Sequence, residues 1–511
     1  MAERDVGPGG GRDAPLAMSR EAFAAAAHEL VDVVTDFLFT LSARPVTPDE
    51  SPAELGGILG AEARLPEAGT EAGVLLRAAA GLLFDHSLFN GHPRFFGYIT
   101  ASPAPIGILG DFLAAAINAN VGAWRLAPMA SEIEAQTVRW LAELVGFPTD
   151  CGGLLASGGN MANTIALLAA RKRAADWDLR KEGVAAQGAK RLRVYTSRET
   201  HTWIQKATDL IGLGTDAICW LPTDDEGRMD PEALRGALAE GRANGDVPVA
   251  VVATAGSVST GAVDPLYAIA AICAEHDAWL HVDGAYGGFA AAVPGTPADL
   301  GAIGLADSVA LDPHKWLYAP LEAGAVLVRD RERLREAFSY HPPYYHFGQE
   351  ATNYVDFGPQ NSRGFRALKV WLALRQVGRA GYVQMIGDDI RLAQTLAALV
   401  RQEAELELFT QYLSITTFRY VPQDLAEAPR GEAIERYLDR LNEALLDRIQ
   451  RSGQAFVSNA IVRGRYVLRP CVVNFNSTPE DVAALVELVV ELGGVIDRTL
   501  RSRRAERIDR F

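Results

Sequence analysis

Between residues 106 and 329, short β-rich runs alternate with helical stretches, and that alternation restricts the possible folds more than any other property of the chain. The runs are RVYT (193–196), AICWL (217–221), VAVVATA (249–255), WLHVD (279–283), SVALD (308–312) and AVLV (325–328). Strands separated by helix-length segments predict an α/β protein with a mainly parallel sheet covered on both faces. Such sheets collect their ligands in loops at strand ends. The residues that close these runs are therefore the first places to look for chemistry.

At 511 residues the chain is longer than a single core requires, and its pattern divides into four parts. Residues 1–18 carry several glycines and no apolar stretch, and are expected to be a disordered lead rather than a secretory signal. Residues 19–105 form a helical arm: Ser19 is a candidate N-cap, and Phe23, Leu30, Val34, Phe37 and Leu38 follow at helical spacing. The arm has too little apolar surface for its own core and is expected to pack on another subunit or on the large domain. That domain spans 106–377, and a smaller C-terminal α/β domain spans 378–511.

The formal net charge of −15 would repel a phosphate backbone, so no nucleic-acid partner is expected. No run of about 18 uninterrupted apolar residues exists, which argues against a membrane partner. Cys151, Cys219, Cys273 and Cys471 lack CxxC spacing, and reduced thiols in a cytoplasmic protein are the plain reading. The nine histidines contain no HExxH and form no metal-ligand cluster, so no metal is expected.

Within ADSVALDPHKWLYAP, the run SVALD delivers His314 and Lys315 to a strand end. A lysine there can form an imine with an aldehyde cofactor if enough of it is neutral; alone, it reads as a solvated surface lysine. In WLHVDGAYGG, Asp283 closes another run and is followed by small residues such as Ala285. A carboxylate so placed either caps the next turn or keeps a pyridine nitrogen protonated, making the ring an electron sink. LLASGGNMANTIALLAARKR joins a glycine turn to a helical pattern, so the backbone N–H groups of Gly158, Gly159 and Asn160 are candidates to cradle a phosphate. His201 follows RVYT, where an imidazole can stack on a flat ring or serve a structural role.

In this order and spacing, ASGGNMAN, HTWIQKA, HVDGAYGG and DPHKW resemble the group II pyridoxal-phosphate (PLP)-dependent decarboxylases, with a pattern nearest the aromatic L-amino-acid decarboxylases. HPRFFGYIT, RGFRALKVW and LRPCVVNFNSTPEDV extend the resemblance over most of the chain. It implies the aspartate-aminotransferase-like fold type I, with a mainly parallel seven-stranded sheet flanked by helices, in a homodimer with active sites at the subunit interface. It also implies that Lys315 is the Schiff-base lysine, Asp283 pairs with the pyridinium nitrogen, His201 stacks on the ring and Ala285 packs on its other face. Gly158, Gly159 and Asn160 match the phosphate loop, and His314 matches a residue that helps hold cofactor or phosphate.

By the same likeness, Tyr344 takes the place of the loop tyrosine that returns a proton to Cα after carbon dioxide leaves; Tyr345 is one residue away. Phe95, Tyr98, Thr100 and Trp124 resemble substrate-pocket elements, although aromatic residues in such positions are as often core. Ser362 aligns with a residue that is serine in phenol-preferring plant relatives. The expected reaction is decarboxylation of an L-amino acid, with aromatic substrates ranked first and glutamate or diamino acids second. Aldehyde synthesis on the same fold and a cofactor-free binding protein are the alternatives.

Three departures from the family pattern stand out: Gly256-Ser257-Val258 for Gly-Thr-Thr, Asp312 for the common asparagine, and Ala323-Gly324 for a cysteine-serine pair. Asp312 offers a phosphate its backbone N–H but also an unwelcome negative charge. Val258 leaves a hydroxyl missing near the cofactor.

Overall fold

A computed structural model of the protein describes residues 14–186, 188–340, 351–427 and 431–508. The chain forms two compact units, Met1–Phe89 and Asn90–Phe511.

In the first unit, the helix Arg20–Thr40 starts at Ser19, whose hydroxyl accepts the Ala22 N–H at 3.0 Å. The helix Pro52–Leu59 opens with a Ser51/Glu54 capping box and stops at left-handed Gly60. Glu71 caps a third helix, Ala72–Asp85. Phe37 stacks on Phe84 at 4.0 Å, and Arg77 pairs with Glu29 at 2.7 Å. Phe23, Phe39 and Leu83 stay exposed, so the unit buries little of its apolar surface. It ends at Phe89, and residues 90–105, assigned from sequence to the arm, belong to the larger unit.

The larger unit contains two sheets. Numbered along the chain, its strands are β1 (Phe95–Phe96), β2 (Gly152–Ala156), β3 (Leu192–Ser197), β4 (Ile218–Leu221), β5 (Val247–Thr254), β6 (Leu280–Asp283), β7 (Ser308–Leu311), β8 (Gly324–Val328), β9 (Leu406–Tyr412), β10 (Ile415–Tyr420), β11 (Phe456–Val462) and β12 (Arg465–Arg469). The large sheet has seven strands in the order β2-β8-β7-β6-β5-β3-β4. Strands β3 to β7 pair in parallel, whereas β8 runs antiparallel to β2 and β7.

Six of these seven strands coincide with the β-rich runs; the seventh, β2, lay hidden in a glycine-containing segment. Its glycines have a packing reason. A Cβ on Gly152 would lie 2.7 Å from Arg331 Cα, and one on Gly153 would lie 2.6 Å from the Val326 carbonyl oxygen. The central strands are apolar on both faces, with Val249 to Ala253 fully buried, as a covered parallel sheet requires.

The second sheet has the order β1-β11-β12-β10-β9, with only β1 and β11 parallel. Its core gathers Phe96, Phe418, Val457 and Leu468 with Leu441, Leu445 and Val489 from the helices Glu432–Arg451 and Pro479–Ile508. The helix Ala367–Gln402 is interrupted at Gly378, whose φ of 68° and ψ of 172° break the helical path. No helix among the described residues is long and apolar enough to cross a membrane.

Candidate active site

Parallel register brings the chemistry-bearing strand ends together. Asp283 at the end of β6 lies opposite Thr254 of β5 and Ala310 of β7. Past the end of β7, Asp312 leads into a one-turn helix, Pro313–Trp316, which carries Lys315. Gly158 has a φ of 110°, open to glycine alone at little cost, and turns the chain into the helix Gly159–Ala174. Lys315, Asp283, Asp312, Ala285, His201, Gly159 and Asn160 line one cavity, with Trp203, Ile99 and Val258 among its other walls.

Several polar groups in the cavity are held by specific partners. Asp283 Oδ2 accepts the indole N–H of Trp203 at 2.7 Å, and Oδ1 accepts the Ala285 N–H at 3.2 Å. The Trp203 N–H donates to His201 Nδ1 at 3.2 Å, which leaves the His201 proton on Nε2. Desolvation lowers the His201 pKa, against the pull of Asp283, and favours the neutral imidazole. Lys315 Nζ lies 2.9 Å from Asp312 Oδ2. Burial depresses the Lys315 ammonium, but Asp312, with Asp283 and Cys471 behind it, reverses the shift and raises it.

Below the cavity, Ser308 Oγ accepts from Trp279 Nε1 at 2.8 Å and so offers its own proton to His281 Nδ1, also at 2.8 Å. His281 Nε2 then donates to Asn163 Oδ1 at 2.6 Å. Burial pushes the His281 pKa down to about 4, so this bridge between β6, β7 and the helix Gly159–Ala174 is uncharged. His314 Nδ1 donates to the Ala323 carbonyl at 2.7 Å, which turns Nε2 toward Asp312 at 3.7 Å.

The glycine turn is packed closely by Asp312 and β8. A Cβ on Gly159 would lie 2.6 Å from Asp312 Oδ2, and one on Gly324 would lie 2.5 Å from Gly158 backbone. Gly324, a departure from the family pattern, is thus the residue that lets β8 pass the turn. A lysine amine, a strand-end carboxylate and a glycine-bared helix start suit the aldehyde, ring nitrogen and phosphate of a pyridoxal cofactor.

A match to the pyridoxal-dependent decarboxylase conserved domain covers residues 62–421. The chain belongs to the pyridoxal-dependent decarboxylases. An aromatic-L-amino-acid decarboxylase from Bacillus atrophaeus is 32% identical over 92% of this chain and 95% of its own length. A phenylacetaldehyde synthase from a Rosa hybrid cultivar is 29% identical over 91% of this chain and 92% of its own. The crystal structure of Oryza sativa TDC with PLP and tryptamine superposes with a TM-score of 0.87 at 29% identity, covering 95% of this chain and all of that one. This decarboxylase has the fold type I architecture, uses PLP, and is a carboxy-lyase for an amino acid.

Other residues singled out from sequence lie elsewhere. Phe95 is buried in β1 and stacks on Phe456 at 5.4 Å. Tyr98 is exposed, Thr100 half-buried and Ser362 exposed. Trp124 Nε1 donates to Glu132 at 2.8 Å. None of these five is among the described lining residues of the cavity, whereas Ile99, between Tyr98 and Thr100, is. Tyr344 and Tyr345 lie outside the described residues. Trp203 and Asn163 were missed as site residues, since neither carries a signal that separates it from ordinary helix core.

Proposed function

We propose that this decarboxylase converts an aromatic L-amino acid, of the tyrosine, dopa or tryptophan type, to its amine in a cytoplasmic homodimer, with Lys315, Asp283 and His201 as its central residues. The observation that carries the reading is the convergence of Lys315, Asp283 and His201 with the Gly159 helix start on one cavity. Bound there, PLP supplies an electron sink for the pair left at Cα when carbon dioxide departs.

Lys315 Nζ would hold the cofactor through its aldehyde. Asp283, braced by Trp203, holds a proton at the ring nitrogen. His201 and Ala285 would enclose the ring, and Gly158, Gly159, Asn160, His314 and the backbone of Asp312 would hold the phosphate. Tyr344 returns a proton to Cα. Ile99, Val258 and Trp203 provide apolar walls, and relatives named for aromatic substrates support the same choice.

We assign Tyr98, Thr100, Trp124 and Ser362 to a substrate pocket completed by a second copy of the chain. The exposed apolar residues Leu109, Phe112, Leu113 and Ile117 on the helix Pro105–Ile117 support that assembly, and sedimentation would read it as twice the chain mass. The division into an arm, a large domain to residue 377 and a small domain from 378 is part of the same proposal.

The deciding experiment is a substrate panel on the PLP-loaded protein, following carbon dioxide, amine, peroxide and ammonia with Lys315→Ala as control. Amine and carbon dioxide from an aromatic amino acid, lost in the control, support the reading. Turnover of glutamate or diaminobutyrate alone, or aldehyde with peroxide and ammonia, overturns it.

A further inference from the structure

Among the described residues of the cofactor cavity, Asp312 is the one whose charge conflicts with the cofactor itself. Its carboxylate is 2% exposed. Oδ2 meets Lys315 Nζ at 2.9 Å and sits where a Cβ on Gly159 would touch it at 2.6 Å. It therefore packs against the first residue of the 16-residue helix whose opening N–H groups would receive the phosphate. Oδ1 is buried with no hydrogen-bond partner. Two anions sharing one buried helix start disfavour each other. Lys315 presents a second conflict, because the ammonium that Asp312 stabilises is not a nucleophile.

One proton transfer resolves both conflicts. The geometry points to Asp312 as the base that takes a proton from Lys315 during cofactor loading and then remains, as a neutral carboxylic acid, beside the phosphate. The Lys315 ammonium passes one proton across 2.9 Å to Asp312 Oδ2. The freed amine attacks the aldehyde carbon of PLP, a C–N bond forms, and the aldehyde oxygen leaves as water with the two hydrogens remaining on the amine. The ion pair and the aldehyde thus become imine, water and protonated Asp312, with no proton released to solvent. The protonated carboxyl can donate to the phosphate, the role a side-chain amide at this position would fill without any proton transfer. Asp283 and Cys471 also face Lys315, but Asp283 is already engaged by Trp203. His201 and His314 beside them are held neutral by desolvation.

The inference rests on Lys315 as the cofactor lysine, and the experiment reads that point separately. Protein freed of PLP and then reloaded is followed by visible absorbance, which reports the imine, and by loaded-minus-empty infrared difference spectra. The sample is prepared with aspartate carrying carbon-13 in its side-chain carboxyl. The expected result is a protonated-carboxyl band that grows in step with the imine, moves in heavy water, moves with the carbon-13 label, and is lost in Asp312→Asn. Asp312→Glu serves where the asparagine variant fails to fold or load: the band should remain but lose its response to labelled aspartate. Imine absorbance without that band in the wild type, or a labelled band that survives either substitution, overturns the assignment of Asp312 alone. Absence of the imine overturns it together with the role of Lys315.

Discussion

Trp203 and Asp283 form an N–H···O bond of 2.7 Å between the helix that follows β3 and the end of β6. Both groups are buried, and the bond fixes which way the carboxylate of Asp283 faces. A hydrogen bond to a charged group contributes about 1.5–3 kcal/mol. Trp203→Phe, which keeps an aromatic body and removes the donor, is expected to weaken PLP binding about tenfold or more while the protein stays folded. Titration of the cofactor-free variant by visible absorbance measures this, and unchanged half-saturation would mean that Asp283 is oriented without the indole.

Arg363 and Glu134 are both fully buried and paired, and their remaining bonds tie three segments together. The guanidinium also donates to the carbonyls of Val121 at 3.0 Å and Leu155 at 2.6 Å, and Glu134 accepts the Leu155 N–H at 2.9 Å. Removing one partner strands a buried charge, which costs about 3–5 kcal/mol. Glu134→Ala should lower the denaturant midpoint of unfolding sharply. Glu432→Ala, which breaks an exposed pair with Arg436, should leave that midpoint in place.

The parts of this architecture that were legible in the sequence are local. DPHKW and HVDGAYGG each hold strand and turn within a few positions, so the placing of Lys315 and Asp283 at strand ends could be read without knowing what packs against them. The alternation of β-rich runs similarly predicted six strands. β2 escaped because its glycines answer to Arg331 and Val326, far along the chain. For Phe95, an aromatic side chain reads alike in a pocket or a core, and its packing on Phe456 comes from a parallel pair with β11 that no local pattern signals. Trp203 with Asp283, Asn163 with His281, and Glu134 with Arg363 are long-range pairs, and a single sequence gives no register between their elements.

Gly324 lets β8 run directly beside the Gly158 turn. Any Cβ there would meet Gly158 Cα and C at 2.5 Å, and backbone on that side has no rotamer by which to yield. Overpacking of this kind costs about 1–3 kcal/mol. Gly324→Ala is expected to raise the PLP concentration for half-saturation roughly tenfold by displacing the turn. Gly364→Ala, where a Cβ meets nothing within 4 Å, is the matched control. Equal cofactor affinity in the two variants would show that the turn can shift without loss of phosphate binding.

Asp389 supplies a pH dependence of stability that can be isolated from the rest of the molecule. Its Oδ2 accepts from Trp316 Nε1 at 2.8 Å and from the Tyr318 hydroxyl at 2.7 Å, bracing the segment that follows Lys315. Burial pushes its carboxyl from 3.8 up to about 7, against the lowering effect of those two donors. Because the folded pKa is the higher one, the native state keeps this proton after the unfolded chain has lost it. The group's contribution is therefore fully present below 3.8 and declines as pH rises, levelling off above about 7. Within that window the slope is about 1.4 kcal/mol per pH unit. Asp389→Asn has no such proton, so the stability difference, wild type minus variant, should fall steadily between about pH 5 and 7 and flatten by about pH 8. Urea unfolding of both proteins across that range checks the sign: a difference that rises with pH, or stays level, would mean that Trp316 and Tyr318 hold Asp389 ionised in the folded enzyme.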